Sequence, residues 1–233
     1  MLIHGLQKIS LIDYPDKICA IIFTKGCNFR CRFCYNPELV LANNKQSIIK
    51  QEEIFKFLKK RKKLIDGICV TGGEPTLHKD LPKFLAQIKK MGFLIKLDTN
   101  GTNPEMLKKL IKEKLVDYIA MDIKTSLEWE KYKKIIDVDF FKIFNKIKQS
   151  IKIIINFPNY EFRTTVVPNL IKEKDIITIA KQIKGAKKYF LQQFVPSKKM
   201  IDEKYKKIKP YSKEVLEKMR EKARKYVKTT EIR

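Results

Sequence analysis

The chain has 233 residues, 44% hydrophobic and 33% charged, which suits one soluble α/β-sized domain over 1–233 with a substantial core and excludes disorder. No apolar run approaches the ~18–20 residues of a membrane span, and five cysteines, an odd number, argue against a disulfide scaffold. The net charge of +25 comes from lysines spread through almost every segment and interleaved with isoleucine, as in "KFLKKRKKL" and "IKIIIN". It reads as a global bias, such as an AT-rich genome or growth at high temperature imposes, so non-specific sticking at low salt is expected and specific nucleic-acid binding is not.

The N-terminal stretch "LIHGLQKISLIDYPD" has mixed polarity and predicts a short strand extension over 1–16. Its early polar break and lack of a small-residue cleavage site do not resemble a secretory signal, so the cytoplasm is the expected compartment. Six short apolar runs follow: "ICAIIFT" (18–24), "GICVTGG" (67–73), "FLIKLDTNG" (93–101), "DYIAMDIK" (117–124), "FRTTVVP" (162–168) and "YFLQQFVP" (189–196). Bulky and β-branched residues dominate them, as in strands buried on both faces. Helical periodicity fills the intervals at 51–64, 80–91, 104–115, about 139–153, 172–184 and 212–228. Asp80 before Pro82, Asn103 before Pro104, and Ser212 before Glu214 are start signals. Alternating strands and helices predict an α/β fold with right-handed βαβ crossovers. Six units are too few for a closed eight-fold barrel, so a partial barrel or an open sheet follows, with chemistry at the C-terminal ends of the strands.

Directly after the first apolar run comes "FTKGCNFRCRFCYNPE" (23–38), which packs Cys27, Cys31 and Cys34 into eight residues. A closed zinc site normally takes four Cys or His ligands, and the only histidines, His4 and His78, are not at knuckle spacing. A redox dithiol at Cys31 and Cys34 would leave Cys27 without a use. An iron–sulfur cluster held by three thiolates would keep one iron open to a small molecule. Cys19 and Cys69 lie inside apolar runs and read as buried strand residues.

The C-x-x-x-C-x-x-C spacing, with Phe33 just before the last cysteine and a loop that follows the first strand, resembles the radical S-adenosylmethionine (radical SAM) superfamily. That resemblance implies a partial (β/α)6 TIM-like barrel of the radical SAM type, one [4Fe-4S] cluster on Cys27, Cys31 and Cys34, and S-adenosylmethionine (SAM) on the open iron. "TGGEPTL" (71–77) is similar to the family's GGE motif, so the edge formed by Gly72, Gly73 and Glu74 is implied to bind the amino group of the methionine moiety. Asp98 in "KLDTNGT", with Asp122 and Lys124 in "AMDIKTS", resembles the activating enzymes of glycyl-radical proteins. In that subgroup the matching lysine pairs with the SAM carboxylate, and Asp98, Thr99 and Asp122 would hold a monovalent cation, an ion suited to oxygen ligands. Arg163 in "FRTTVVPN" also matches a SAM contact, although an arginine in a buried strand is equally explained by an ion pair. Asn36 matches an asparagine after the cluster loop. Gln192 or Gln193 would face the adenosine, with Gln193 the choice and the strand register undecided. No side chain is expected to act as an acid or base.

The resemblance runs from "ISLIDYPDKICAIIFTKGCNFRC" to "LQQFVP", and the segment around the cysteines is most similar to the activating proteins of anaerobic ribonucleoside-triphosphate reductase. The implied reaction begins with reduction of the cluster by an external donor such as flavodoxin or ferredoxin. SAM is then cleaved to methionine and a 5′-deoxyadenosyl radical, which abstracts hydrogen from a glycine Cα of a partner glycyl-radical enzyme in an anaerobic setting. The alternative is a radical SAM enzyme acting on a small molecule or tRNA, for example in deazapurine synthesis or RNA modification. An electron carrier or metal-binding interaction module is the reading from another class, and it has no use for Glu74 or Lys124. The amphipathic stretch "SKEVLEKMREKARKYV" reads as barrel cover or as a border of the partner surface.

Overall fold

A computed structural model describes residues 1–41, 48–138 and 141–233. In chain order the elements are β1 (Ile3–Ser10), β2 (Cys19–Thr24), α1 (Pro37–Val40), α2 (Gln51–Arg61), β3 (Gly67–Gly72), α3 (Leu81–Lys90), β4 (Leu94–Thr99), α4 (Pro104–Lys112) and β5 (Tyr118–Asp122). Then come α5 (Trp129–Ile136), α6 (Phe141–Ile154), β6 (Tyr160–Val166), α7 (Glu173–Gln182), β7 (Lys188–Gln193), α8 (Lys213–Ala223) and β8 (Thr229–Ile232). Strands β2 to β7 are the six apolar runs of the sequence, and the α/β class expected from their alternation with helices is observed. The chain divides into two compact units.

The first unit comprises residues 1–28, 38–99 and 103–119. β1 runs antiparallel to β2, with register shifts between Ile3 and Gly5 and between Gln7 and Ser10. β2 is parallel to β3 over six residue pairs, from Cys19 opposite Gly67 to Thr24 opposite Gly72, and β3 is parallel to β4 from Gly67 opposite Leu94 to Val70 opposite Leu97. One face of these strands gathers Cys19, Ile21 and Cys69 with Tyr14 and Tyr118, as expected for cysteines placed in apolar runs. The helices of this unit bury apolar residues that recur at i, i+3 and i+4, such as Leu81, Phe84, Leu85 and Ile88 of α3.

Two of the anticipated helix starts differ in detail. Asn103 caps α4, its Oδ1 accepting from the Met106 amide at 3.2 Å ahead of Pro104. Asp80 stands at the N-cap of α3 but its carboxylate accepts from the Met1 amino group and from Gln51 Nε2 instead. Ser212 likewise makes no cap bond to α8. At Asp80 the charged amino group takes an oxygen that the helix backbone would have used.

The second unit comprises residues 29–37, 100–102 and 120–233. β6, β7 and β8 are parallel, with Phe162 opposite Tyr189, Val166 opposite Gln193, and Lys188 opposite Thr229. The helix expected to run to 228 stops at Ala223, and the chain enters β8, where Thr229 and Thr230 favour an extended backbone and Leu191 of β7 offers a ladder position to Ile232. α5 was not anticipated, although Tyr132, Ile135 and Ile136 form its buried i, i+3, i+4 stripe. The helix expected at about 139–153 is α6, and residues 139–140 lie outside the described residues.

Candidate active site

In the first unit the end of β3 carries the glycine edge. Gly72 has φ +122°, and a Cβ there would meet the Thr24 amide nitrogen at 2.3 Å. A Cβ on Gly73 would meet the Gly26 carbonyl oxygen at 1.9 Å, so only glycine lets this edge lie against the segment leaving β2. That approach is cemented by the Gly73 amide donating to Thr24 O at 2.9 Å and the Glu74 amide to Gly26 O at 2.8 Å. Glu74 is fully buried. Its Oε1 accepts from the Thr76 amide (3.1 Å), the Thr76 hydroxyl (2.5 Å) and the Thr99 hydroxyl (2.8 Å). The carboxylate therefore locks the ends of β3 and β4 together, which is the helix-capping kind of use joined to a cross-strand tie. Asn103 Nδ2 adds a bond to Thr76 O at 2.7 Å.

Asp98, the penultimate residue of β4, has its carboxylate paired to the Lys96 ammonium. Sequence reading passed over Lys96, although a lysine two residues before an aspartate in an apolar strand must share its face. Lys96 is almost fully buried, and its Nζ lies 3.7 Å from Cys69 Sγ. Cys19 below it has its thiol pushed up to about 11, by burial first and by the nearby Asp13 next, so it stays protonated at neutral pH. His78, which is not at zinc-knuckle spacing, is half-buried, and burial followed by the Met1 ammonium depresses its pKa.

In the second unit the cysteine loop from Phe29 onward is fixed by alternating burial. Phe29 and Phe33 are buried. Phe29 packs edge-on to Tyr132 (6.5 Å), Phe33 tilts against Tyr205 (6.3 Å), and Tyr35 against Phe194 (6.4 Å). The Tyr35 hydroxyl accepts from the Val195 amide at 3.0 Å, the Arg30 amide donates to Ile136 O at 2.7 Å, and the Asp202 amide donates to Arg32 O at 3.0 Å. Cys31 is buried between these anchors, Cys34 is half-buried and its amide donates to Cys31 O at 2.9 Å. Cys27, in the first unit, and Asn36, in the second, are half-buried.

The same unit holds the D-x-K pair and the strand arginine as one network. Asp122 Oδ1 accepts from Arg163 Nε at 2.8 Å and Oδ2 from Lys124 Nζ at 2.9 Å. Burial alone would raise the Asp122 carboxyl, but Arg163 and Lys124 together outweigh it and hold the pKa well below the usual carboxylate range. Burial likewise opposes the Lys124 charge, and Asp122 with Cys31 overcomes it, so Lys124 stays an ammonium above its ordinary value. The Lys124 amide donates to the Tyr132 hydroxyl at 3.1 Å, which couples the network to the Phe29 anchor of the cysteine loop. Arg163 is thus an ion-paired strand residue. Gln193 is held by its own neighbourhood: its Nε2 donates to Tyr211 O at 3.2 Å and Phe194 O at 3.3 Å. Among the described residues no three His, Cys, Asp or Glu side chains stand gathered as a metal site, so the case for the three cysteines is their spacing, their thiol chemistry and the family. Three thiolates suit an iron–sulfur cluster and fall short of the closed four-ligand zinc site.

Among the described residues no helix is long and apolar enough to cross a membrane. The family described as "Radical SAM superfamily" matches residues 21–183. A Methanocaldococcus jannaschii protein named "Putative glycyl-radical enzyme activating enzyme MJ1227" is 40% identical over all of this chain and 95% of its own length. The "Pyruvate formate-lyase-activating enzyme" of Clostridium pasteurianum is 31% identical over 52% of each chain, and a "GTP 3',8-cyclase" of Clostridium botulinum is 33% identical over 56% of this chain and 42% of its own. Among solved structures, Streptococcus suis SuiB bound to S-adenosylmethionine superposes with a TM-score of 0.68 at 15% identity, covering 91% of this chain and 49% of SuiB, a likeness of fold. The chain spans about half the length of that protein. With an α/β fold of the partial (β/α)6 kind, a glycine edge at the end of β3 and three cysteines in the loop after β2, this chain belongs to the radical SAM superfamily and is an enzyme of that kind, for which the family implies a [4Fe-4S] cluster and SAM.

Proposed function

We propose that this enzyme activates a glycyl-radical protein in an anaerobic, cytoplasmic setting, with the whole chain serving as one radical SAM domain. The observation that carries the proposal is the 40% identity over the full chain to the M. jannaschii protein named for that activity. The partner proposed is anaerobic ribonucleoside-triphosphate reductase, and the electron donor a flavodoxin or ferredoxin. When bound, the cluster and SAM supply the reductive cleavage that generates a hydrogen-abstracting radical.

The chain's own residues bind, orient and shield. Cys27, Cys31 and Cys34 hold the cluster. The edge at Gly72, Gly73 and Glu74 presents backbone to the methionine amine, with the buried Glu74 carboxylate keeping it rigid through Thr76 and Thr99. Lys124 serves the SAM carboxylate: an ammonium has three donors, and Asp122 takes one while fixing its direction. Arg163 reaches the cofactor as part of the Asp122 network, and Asn36 and Gln193 complete the contacts. The relatives named GTP 3',8-cyclase support a small-molecule substrate as the second reading, over a smaller share of both chains.

The test is anaerobic reconstitution followed by reduction in the presence of SAM and the candidate reductase. Methionine, 5′-deoxyadenosine and a glycyl-radical doublet on the reductase in electron paramagnetic resonance are expected. Cleavage that needs a small nucleotide and leaves no protein radical would replace this reading with the second.

A further inference from the structure

The subgroup resemblance asks Asp98, Thr99 and Asp122 to hold a monovalent cation, and the side chains around them do not fit that ion. Asp98 already has a cation. The Lys96 ammonium is bonded to Asp98 Oδ1 from the same face of β4, with side-chain exposures of only 3% and 13%. The hydroxyl of Thr99 is turned to the buried Glu74. Asp122 has a basic partner on each oxygen, Arg163 on one and Lys124 on the other. Within their own units, then, two carboxylates are matched by three fixed positive charges. A hard monovalent ion needs oxygen ligands that carry uncompensated negative charge. Here it would have to displace an ammonium group or add a like charge beside one, which low surrounding dielectric penalises.

We infer that the Lys96 ammonium does at Asp98 what a bound alkali ion would otherwise do, and that the enzyme works without one. The inference deepens the reading of the site given above and can fail independently of it. β4 builds the device cheaply: the period of two puts Lys96 directly under Asp98, and the Cys69 sulfur accepts a second bond from Nζ at 3.7 Å, which helps to hold the ammonium in place.

The experiment uses the unreduced holoenzyme, which turns nothing over. Thermal melting and SAM affinity by calorimetry are compared in potassium chloride and in tetramethylammonium chloride at equal ionic strength. Any ion that binds the folded state must raise its melting temperature, and any ion coupled to SAM must change SAM affinity by the same factor. The wild type is expected to melt alike in both salts and to bind SAM within about twofold. Lys96→Met, which leaves Asp98 unmatched, is expected to melt lower in tetramethylammonium and to recover with potassium. A wild-type melting temperature that rises with potassium, with SAM binding tightened about tenfold or more, overturns the inference. A folded Lys96→Met protein indifferent to potassium overturns the part given to Lys96. Should Lys96→Met fail to fold, the wild-type comparison decides alone. If SAM binds in neither salt, the proposed function falls, while the melting comparison still decides the question of the ion.

Discussion

At the scale of single residues, the conspicuous acids turn out to be anchored acids. Glu74 lies at the strand end where a ligand-facing carboxylate was anticipated, yet it is fully buried and accepts three hydrogen bonds from Thr76 and Thr99. Glu74→Ala would strand two hydroxyls and an amide, and a charged acceptor of this kind is worth about 1.5–3 kcal/mol per bond lost. A loss of a few kcal/mol in chemical unfolding is expected, together with weakened SAM binding, whereas a variant as stable as wild type would remove the positioning role. Asp122 makes a prediction about pH. Its folded pKa is held below the unfolded value, so the stability it contributes is present above the unfolded carboxylate range near ~4 and is lost as pH falls through the lower folded value. Lys124 behaves in the opposite sense: its raised folded value gives stability that is complete below ~10.4 and disappears only as pH climbs beyond it. Melting curves should therefore be flat in pH across the neutral range with respect to this network, and Asp122→Asn should flatten the acid limb. An unchanged acid limb in that variant would show that other groups control it.

At the scale of elements, the cysteine loop is a rigid strap held by three aromatic pairs. Tyr205 sits in a 3-10 turn at Glu203–Lys207, between β7 and α8 in the chain, and its ring against Phe33 is worth about 0.5–1.5 kcal/mol beyond its buried area. Tyr205→Ala should leave the fold intact by circular dichroism but hasten iron loss to a chelator, because Phe33 directly precedes Cys34. Equal rates of iron loss would mean that the other anchors suffice. Gly73→Ala is the harsher change, since its Cβ would need the space of the Gly26 carbonyl, and a soluble variant with normal SAM affinity would contradict the close approach. The six strands β2 to β7 were legible because runs such as "ICAIIFT" and "GICVTGG" have only one comfortable state, buried on both faces. β8 was not: "TTEI" is short and half polar, and it is a strand only because β7 offers it a ladder. α5 was hidden by its charged residues, four in eight, although its apolar stripe was present. In the candidate site the cysteines, the glycines and the D-x-K motif could be read from spacing. The partners of Asp98, Asp122 and Glu74 could not, because hydrogen bonds between strand ends depend on register, which sequence leaves open.

At the scale of the whole molecule, the net charge of +25 has a consequence that the lysine bias alone does not remove. Whatever its evolutionary source, such a charge raises the encounter rate with acidic proteins and does so through solvent, where screening is effective. Exposed pairs such as Lys108 with Glu105 and Lys206 with Glu203 compensate little of it, since they contribute little individually and lysines outnumber their acidic neighbours. If the substrate is a protein and the donor a second, acidic protein, both associations should be steeply salt-dependent. The Debye length shrinks from ~10 Å at 0.1 M to ~3 Å at 1 M salt, so the association rate with an acidic flavodoxin should fall about tenfold or more between low and high salt, with the dissociation rate little changed. SAM cleavage driven by a small chemical reductant, which needs no protein encounter, should lose much less over the same range. Rapid-mixing kinetics of reduction by flavodoxin and by dithionite, run side by side across salt, separates the two. A flavodoxin rate as indifferent to salt as the dithionite rate would mean that the positive charge has no part in choosing partners.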